Sequence, residues 1–158
     1  MQIESKYKTL SEQARSLAEV ENLWLPLLAN MATLIYDTIG DVNWAGFYVV
    51  DANRLTLGPY KGEVACVSIA KGKGVCGTAW QTGETQSVPD VHAFPGHIAC
   101  DAASRSEVVV PIRAKGEVVA VLDIDSPLLA RFTNEDVAGI EFVAKTIEDV
   151  AEWRDVSF

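Results

Sequence analysis

Residues 107–125 read EVVVPIRAKGEVVAVLDID. Glu107 to Arg113 and Glu117 to Asp125 are both rich in β-branched residues, and only Ala114-Lys115-Gly116 separates them. Two strand-forming runs joined by so short a turn make an antiparallel hairpin. Alternation along the second arm sends Val119, Val121, Asp123 and Asp125 to one face of the sheet. Leu122 and Ile124 take the other face, beneath whatever covers it. Two acids at the end of an apolar strand repel one another and resist joint ionisation unless solvent, a proton or a cationic ligand lies between them. A polar strand end or turn cap is the plain alternative, since Asp favours turns. Glu107 opens the paired arm and lies near the same rim.

Upstream, the period changes from strand to helix. Trp44 to Val50, the turn Asp51-Ala52-Asn53-Arg54, and Leu55 to Tyr60 read as a second antiparallel pair. Ala65 to Ile69 and Thr85 to Val88 are further strand candidates, with a short helix, Val75 to Gln81, between a glycine-rich turn and Gly83. The first forty residues read as two helices. One carries Ser11 as its N-cap. The other runs from Leu23 to Ile39 with Pro26 in its first turn and a stripe of Leu27, Leu28, Met31, Leu34 and Ile35. Thr133-Asn134-Glu135-Asp136 opens a last helix with a capping-box signal, and that helix runs towards Trp153. Helices, about six strands and a final helix define an α+β domain over residues 1–158. Its antiparallel sheet is covered on one face by the terminal helices and bears a loop-enclosed pocket on the other.

Composition excludes several classes. At 158 residues the chain is one domain long and can bury a core without staples. Hydrophobic residues make up 49% and charged ones 22%, which is incompatible with intrinsic disorder. Thirteen basic against 22 acidic side chains leave a net charge of −9, the wrong sign for a nucleic-acid surface. No apolar run reaches the ~18 residues of a membrane helix, and the N-terminus lacks the apolar core of a secretory signal. A cytoplasmic protein without membrane contact is expected, with its three cysteines starting as thiols.

Those cysteines, Cys66, Cys76 and Cys100, are spaced 10 and 24 residues apart and match no redox or zinc-ribbon pattern. Free cysteine is among the most buried residue types, so packing is the plain alternative for each of them. It suits Cys66, inside a strand pattern, best. Cys76 follows a glycine-rich turn, where amides at a helix start would favour its thiolate. Cys100 lies in the longest irregular stretch, Pro89 to Ser106, which also holds both histidines; a loop of that length in a compact domain is commonly functional. A zinc site on His92, His97 and Cys100 is an alternative that loop spacing neither supports nor excludes. No bound metal is expected. Trp44 and Tyr48 share a strand face, as core packing or as an aromatic wall to a pocket.

Five runs together resemble the free methionine-R-sulfoxide reductases, enzymes built on a GAF-type domain. They are Asn43-Trp44-Ala45-Gly46-Phe47-Tyr48, Gly74-Val75-Cys76-Gly77, Val88-Pro89-Asp90-Val91-His92, Cys100 to Glu107, and Leu122-Asp123-Ile124-Asp125-Ser126. The likeness spans almost the whole chain, and the cysteine set separates it from sensory GAF modules, the alternative class of small-ligand-binding domains. It implies reduction of the R-epimer of free methionine sulfoxide, with Cys100 as nucleophile. It favours Cys66 as the resolving thiol, with Cys76 as an alternate or relay. A carboxyl group must then protonate the departing oxygen, and Glu107, Asp123 and Asp125 are the candidates. One of these acids is also expected to hold the substrate's ammonium group, while Trp44 and Tyr48 pack on its methyl-sulfur end. The resemblance further implies thioredoxin, recharged from NADPH, as external reductant, no bound cofactor, and a homodimer.

Overall fold

A computed structural model describes residues 2–97 and 102–155. Helices α1 (Ser5–Val20) and α2 (Trp24–Thr38) lead into strands β1 (Trp44–Asp51), β2 (Arg54–Gly62) and β3 (Ser68–Ala70). Helix α3 (Gly74–Thr82), strand β4 (Gln86–Val88) and a single 3₁₀ turn at Val91–Ala93 follow. The hairpin β5 (Ser106–Ala114) and β6 (Glu117–Ser126) and helix α4 (Asn134–Val150) complete the domain. All strand pairings are antiparallel, in the order β3-β2-β1-β6-β5-β4.

The β5–β6 hairpin turns on two residues, Lys115 and Gly116, both at positive φ (52° and 82°). That is the mirror-image turn whose twist matches the flanking strands. Alternation then divides the sheet cleanly. Ala45, Phe47, Val108, Val110, Leu122 and Ile124 join the buried stripes of α1, α2 and α4 in the main core. Trp44, Tyr48, Val109 and Val121 face the opposite side, where α3 packs with Val75, Cys76 and Ala79. Burying each large aliphatic side chain contributes roughly 1.5–3 kcal/mol, and the helical layer is the larger of the two apolar clusters that the sheet separates.

Four sequence expectations shift. Helix α1 starts at Ser5, not Ser11, because Tyr7, Leu10 and Ala14 form a fully buried stripe that draws the helix upstream. Ser11 sits inside that helix, its buried hydroxyl 2.6 Å from that of Thr146. Helix α4 carries the expected capping box between Thr133 and Asp136 but ends at Val150. Trp153 instead stacks on Trp24, ring centroids 6.1 Å apart. The alternation of β6 breaks at Val119. Ile112 pairs with Ala120 and Arg113 with Val118, so Val119 is an extra residue that leans towards the helical core. Finally, β3 begins at Ser68, which leaves Cys66 in the preceding loop.

Candidate active site

Strand register assembles the site. Trp44 on β1 lies opposite Asp125 on β6, and Asp125 lies opposite Glu107 on β5. One pleat further along the same face, Gly46, Asp123 and Val109 form the next row, with Tyr48 and Val121 beyond it. Three carboxylates thus converge on one end of the sheet, closed over by the first turn of α3. Glu107, Asp123 and Asp125 are only 7%, 5% and 8% exposed. Cys76 enters from α3, and its Sγ and carboxylate oxygens of Glu107 and Asp123 all lie within 4.8 Å of one another. Together with Trp44, Tyr48 and Lys73 they line a cavity of about 50 Å³.

The electrostatics of this cluster favour protons. Burial, then the charge of Asp123, pushes the Glu107 carboxyl well above its ordinary range. Burial, then the charge of Asp125, does the same for Asp123, whose Oδ1 is buried without a hydrogen-bond partner. Neither Glu107 nor Asp123 forms an ion pair among the described residues. Burial and the surrounding carboxylates also raise the Cys76 thiol. The expectation that helix-start amides would hold Cys76 as a thiolate is therefore corrected: desolvation beside three acids outweighs the first turn of α3. The Tyr48 hydroxyl is raised as well, by burial and then by Asp123, so it stays a donor.

Trp44 and Tyr48 do form an aromatic wall, and the structure extends it. Their rings stack with centroids 5.9 Å apart, and Tyr60 from β2 also stacks on Trp44, at 5.1 Å. Gly46 makes this possible, since a Cβ there would sit 2.3 Å from the Tyr60 Cβ. Tyr60, Lys73 and Ser104 carry no site signal in the sequence, and His97, which the sequence offers only as a zinc ligand, lines the acidic pocket instead. Ser104 accepts a hydrogen bond from Asn43 Nδ2 at 3.0 Å and reaches the cavity, as do Lys73 and His97.

The cysteines separate by state. Cys66 is half-buried and disulfide-bonded, and the Tyr48 hydroxyl donates to its backbone carbonyl at 2.9 Å. Cys76 is a free, buried thiol. Cys100 lies outside the described residues. The His92 and His97 rings meet edge to face at 6.1 Å. Among the described residues, the grouping with metal-ligand proximity is Cys76, Glu107 and Asp123 rather than the histidines.

A six-stranded antiparallel sheet with the N- and C-terminal helices paired behind it defines a GAF domain, and the GAF domain family matches residues 3–149. Within that class the chain belongs to the free methionine-R-sulfoxide reductases. It is 45% identical over 149 residues to the free methionine-R-sulfoxide reductase of Escherichia coli (strain K12), covering 94% of this chain and 90% of that protein. The fRMsr of Staphylococcus aureus in its reduced form superposes with a TM-score of 0.88 at 48% identity, covering 92% of this chain and 95% of that one. The enzyme of Neisseria meningitidis in complex with its substrate gives 0.87 at 40% identity, with 94% and 91% covered.

Proposed function

We propose that this protein reduces free methionine-R-sulfoxide to methionine by thiol chemistry in the acidic pocket. The Cys100 thiolate attacks the sulfoxide sulfur. A proton from the carboxyl cluster goes to the sulfoxide oxygen, the oxygen passes to the cysteine sulfur, and methionine leaves with its thioether restored. Cys100 is then a sulfenic acid, which condenses with the Cys66 thiol to give a disulfide and one water. An external dithiol, thioredoxin, exchanges with that disulfide and returns both thiols. No bound cofactor takes part; NADPH enters only through recharging of thioredoxin.

The observation that carries this reading is the set of three buried carboxylates beside a free thiol, under a wall of Trp44 and Tyr48. An oxide leaving group needs a carboxyl that can give it a proton, and the burial and like charge that raise Glu107 and Asp123 support them as that donor. The aromatic wall suits a methyl-sulfur end. That Cys66 is the disulfide-bonded cysteine while Cys76 is free supports Cys66, rather than Cys76, as the resolving thiol.

Thiol counting tests the reading. Reduced protein mixed with the separated R-epimer should lose two thiols per chain and release methionine, whereas the S-epimer should do neither. Cys66→Ser should release one equivalent and stop, and Cys100→Ser should release none. Full turnover in Cys100→Ser, or no loss of thiols in the unaltered protein, would overturn the proposal and leave a ligand-binding module.

A further inference from the structure

The loop between β2 and β3 carries Cys66, and besides the disulfide of that residue its backbone is held by three hydrogen bonds among the described residues. Trp44 Nε1–H donates to the Glu63 carbonyl at 3.2 Å, the Tyr48 hydroxyl to the Cys66 carbonyl at 2.9 Å, and the Leu57 N–H to the Val67 carbonyl at 3.1 Å. The last is an ordinary backbone link. The other two come from the side chains that form the wall of the pocket. Of the loop's own apolar residues, Ala65 and Cys66 pack part-buried against the pocket-side cluster, whereas Val64 and Val67 are 82% and 72% exposed. Tyr48, by contrast, is 2% exposed and stacked on Trp44, so its hydroxyl is a fixed point.

We infer that Tyr48 is a positioning residue for Cys66: its hydroxyl fixes the carbonyl of the resolving cysteine and so sets where that thiol meets the sulfenic acid. The inference rests on the thiol reading above and assigns Tyr48 a second task besides facing the substrate. Disulfide closure needs Cα atoms within ~4.4–6.8 Å and a specific torsion about the sulfurs. With the disulfide open, a loop anchored by only Ala65 and Cys66 would sample that geometry part of the time, and a hydrogen bond to the cysteine's own peptide narrows the search. The ring also couples the two half-reactions, because the side chain that touches the reacting substrate holds the loop that acts next.

Tyr48→Phe keeps the ring and its stack on Trp44 but removes the donor. Reduced protein is mixed with methionine-R-sulfoxide and quenched at intervals. Methionine release and thiol loss are followed separately, with dimedone present in a parallel series to trap sulfenic acid. Any change in substrate affinity appears in KM and in methionine release; the quantity that decides is the rate of disulfide closure after methionine has left. That rate should fall about 3- to 10-fold in Tyr48→Phe, the loss expected for one ordinary hydrogen bond. Dimedone-labelled protein should accumulate, and amide exchange over residues 63–67 should quicken. Closure at the unaltered rate, with no gain in trapped sulfenic acid, would overturn the inference whatever happens to KM. If the unaltered protein itself shows no thiol loss, the thiol reading falls first and this assignment falls with it.

Discussion

Asp123 has two neighbours of its own charge type, an unpartnered buried oxygen and 5% of its surface in contact with solvent. An aspartate in the unfolded chain titrates near ~3.9. In the fold its proton affinity is raised, so above that value the folded state binds more protons than the unfolded one. By linkage, stability is fully present below the unfolded value and declines as pH rises towards the folded one. At neutral pH the native protein therefore carries an electrostatic cost at Asp123. Asp123→Asn should relieve it, raising the thermal midpoint at pH 7 by an amount equivalent to about 1 kcal/mol, or roughly 2–4 °C at this length. The gain should shrink towards pH 4, where the native carboxyl is already neutral. Turnover of free sulfoxide should drop about 100-fold or more, as for loss of a general acid. Calorimetry at the two pH values and a steady-state assay check both halves. A lower midpoint with normal turnover would show that Asp123 is an ordinary buried partner.

Between elements, α1 and α4 approach closely at Gly139. A Cβ on Gly139 would lie 2.1 Å from Tyr7 Cδ2, and the Tyr7 ring cannot give way, being fully buried with its hydroxyl 2.6 Å from Asp136 Oδ1. Gly139→Ala should destabilise the protein by about 1–3 kcal/mol through overpacking. Below its melting range it should leave KM for the sulfoxide unchanged, because α4 lies on the face away from the pocket; urea unfolding and a substrate titration would show it. This pair also marks what a sequence conceals. The β5–β6 hairpin was legible because period-2 alternation is a local property, and it placed Asp123, Asp125 and Glu107 together correctly. The phase error at Val119 arose because a bulge is decided by the partner strand's register. Ser11 read as a cap because its local chemistry fits one, while the Tyr7-Leu10-Ala14 stripe that extends the helix gains its value only against α4. Tyr60 gave no signal at all: its place beside Trp44 depends on Gly46 in the neighbouring strand. Cys66 looked like strand packing because the hydrogen bonds that hold its loop come from side chains 18 and 19 residues away from their acceptors.

Across the whole molecule, the sheet separates a helical layer from a face that carries both a second apolar cluster and the acidic pocket. Behind the sheet α1, α2 and α4 pack a largely apolar core that also holds the Ser11–Thr146 and Tyr7–Asp136 pairs, whereas the pocket in front gathers three carboxyl groups around about 50 Å³. Acids gathered in so small a volume, with Glu107 and Asp123 lacking ion pairs among the described residues, are suited to a ligand that brings its own cation. A free amino acid brings an ammonium group; a methionine within a peptide, or one acetylated at nitrogen, does not. N-acetyl-methionine-R-sulfoxide keeps the reacting sulfur and oxygen intact, removes that charge and adds bulk where the cavity has no room. A buried acid left facing an amide loses its partner without gaining solvent, and sites built around a polar group reject analogues lacking it by large factors. Its kcat/KM should fall by about 10³-fold or more relative to the free amino acid. The two substrates should converge in Asp125→Asn, Glu107→Gln or Asp123→Asn, whichever of these acids reads the ammonium. Matched assays of both sulfoxides on the unaltered protein and the three variants would locate that acid. Equal rates for the two substrates on the unaltered protein would mean that the carboxylates serve proton transfer alone and that selection for the free amino acid arises elsewhere.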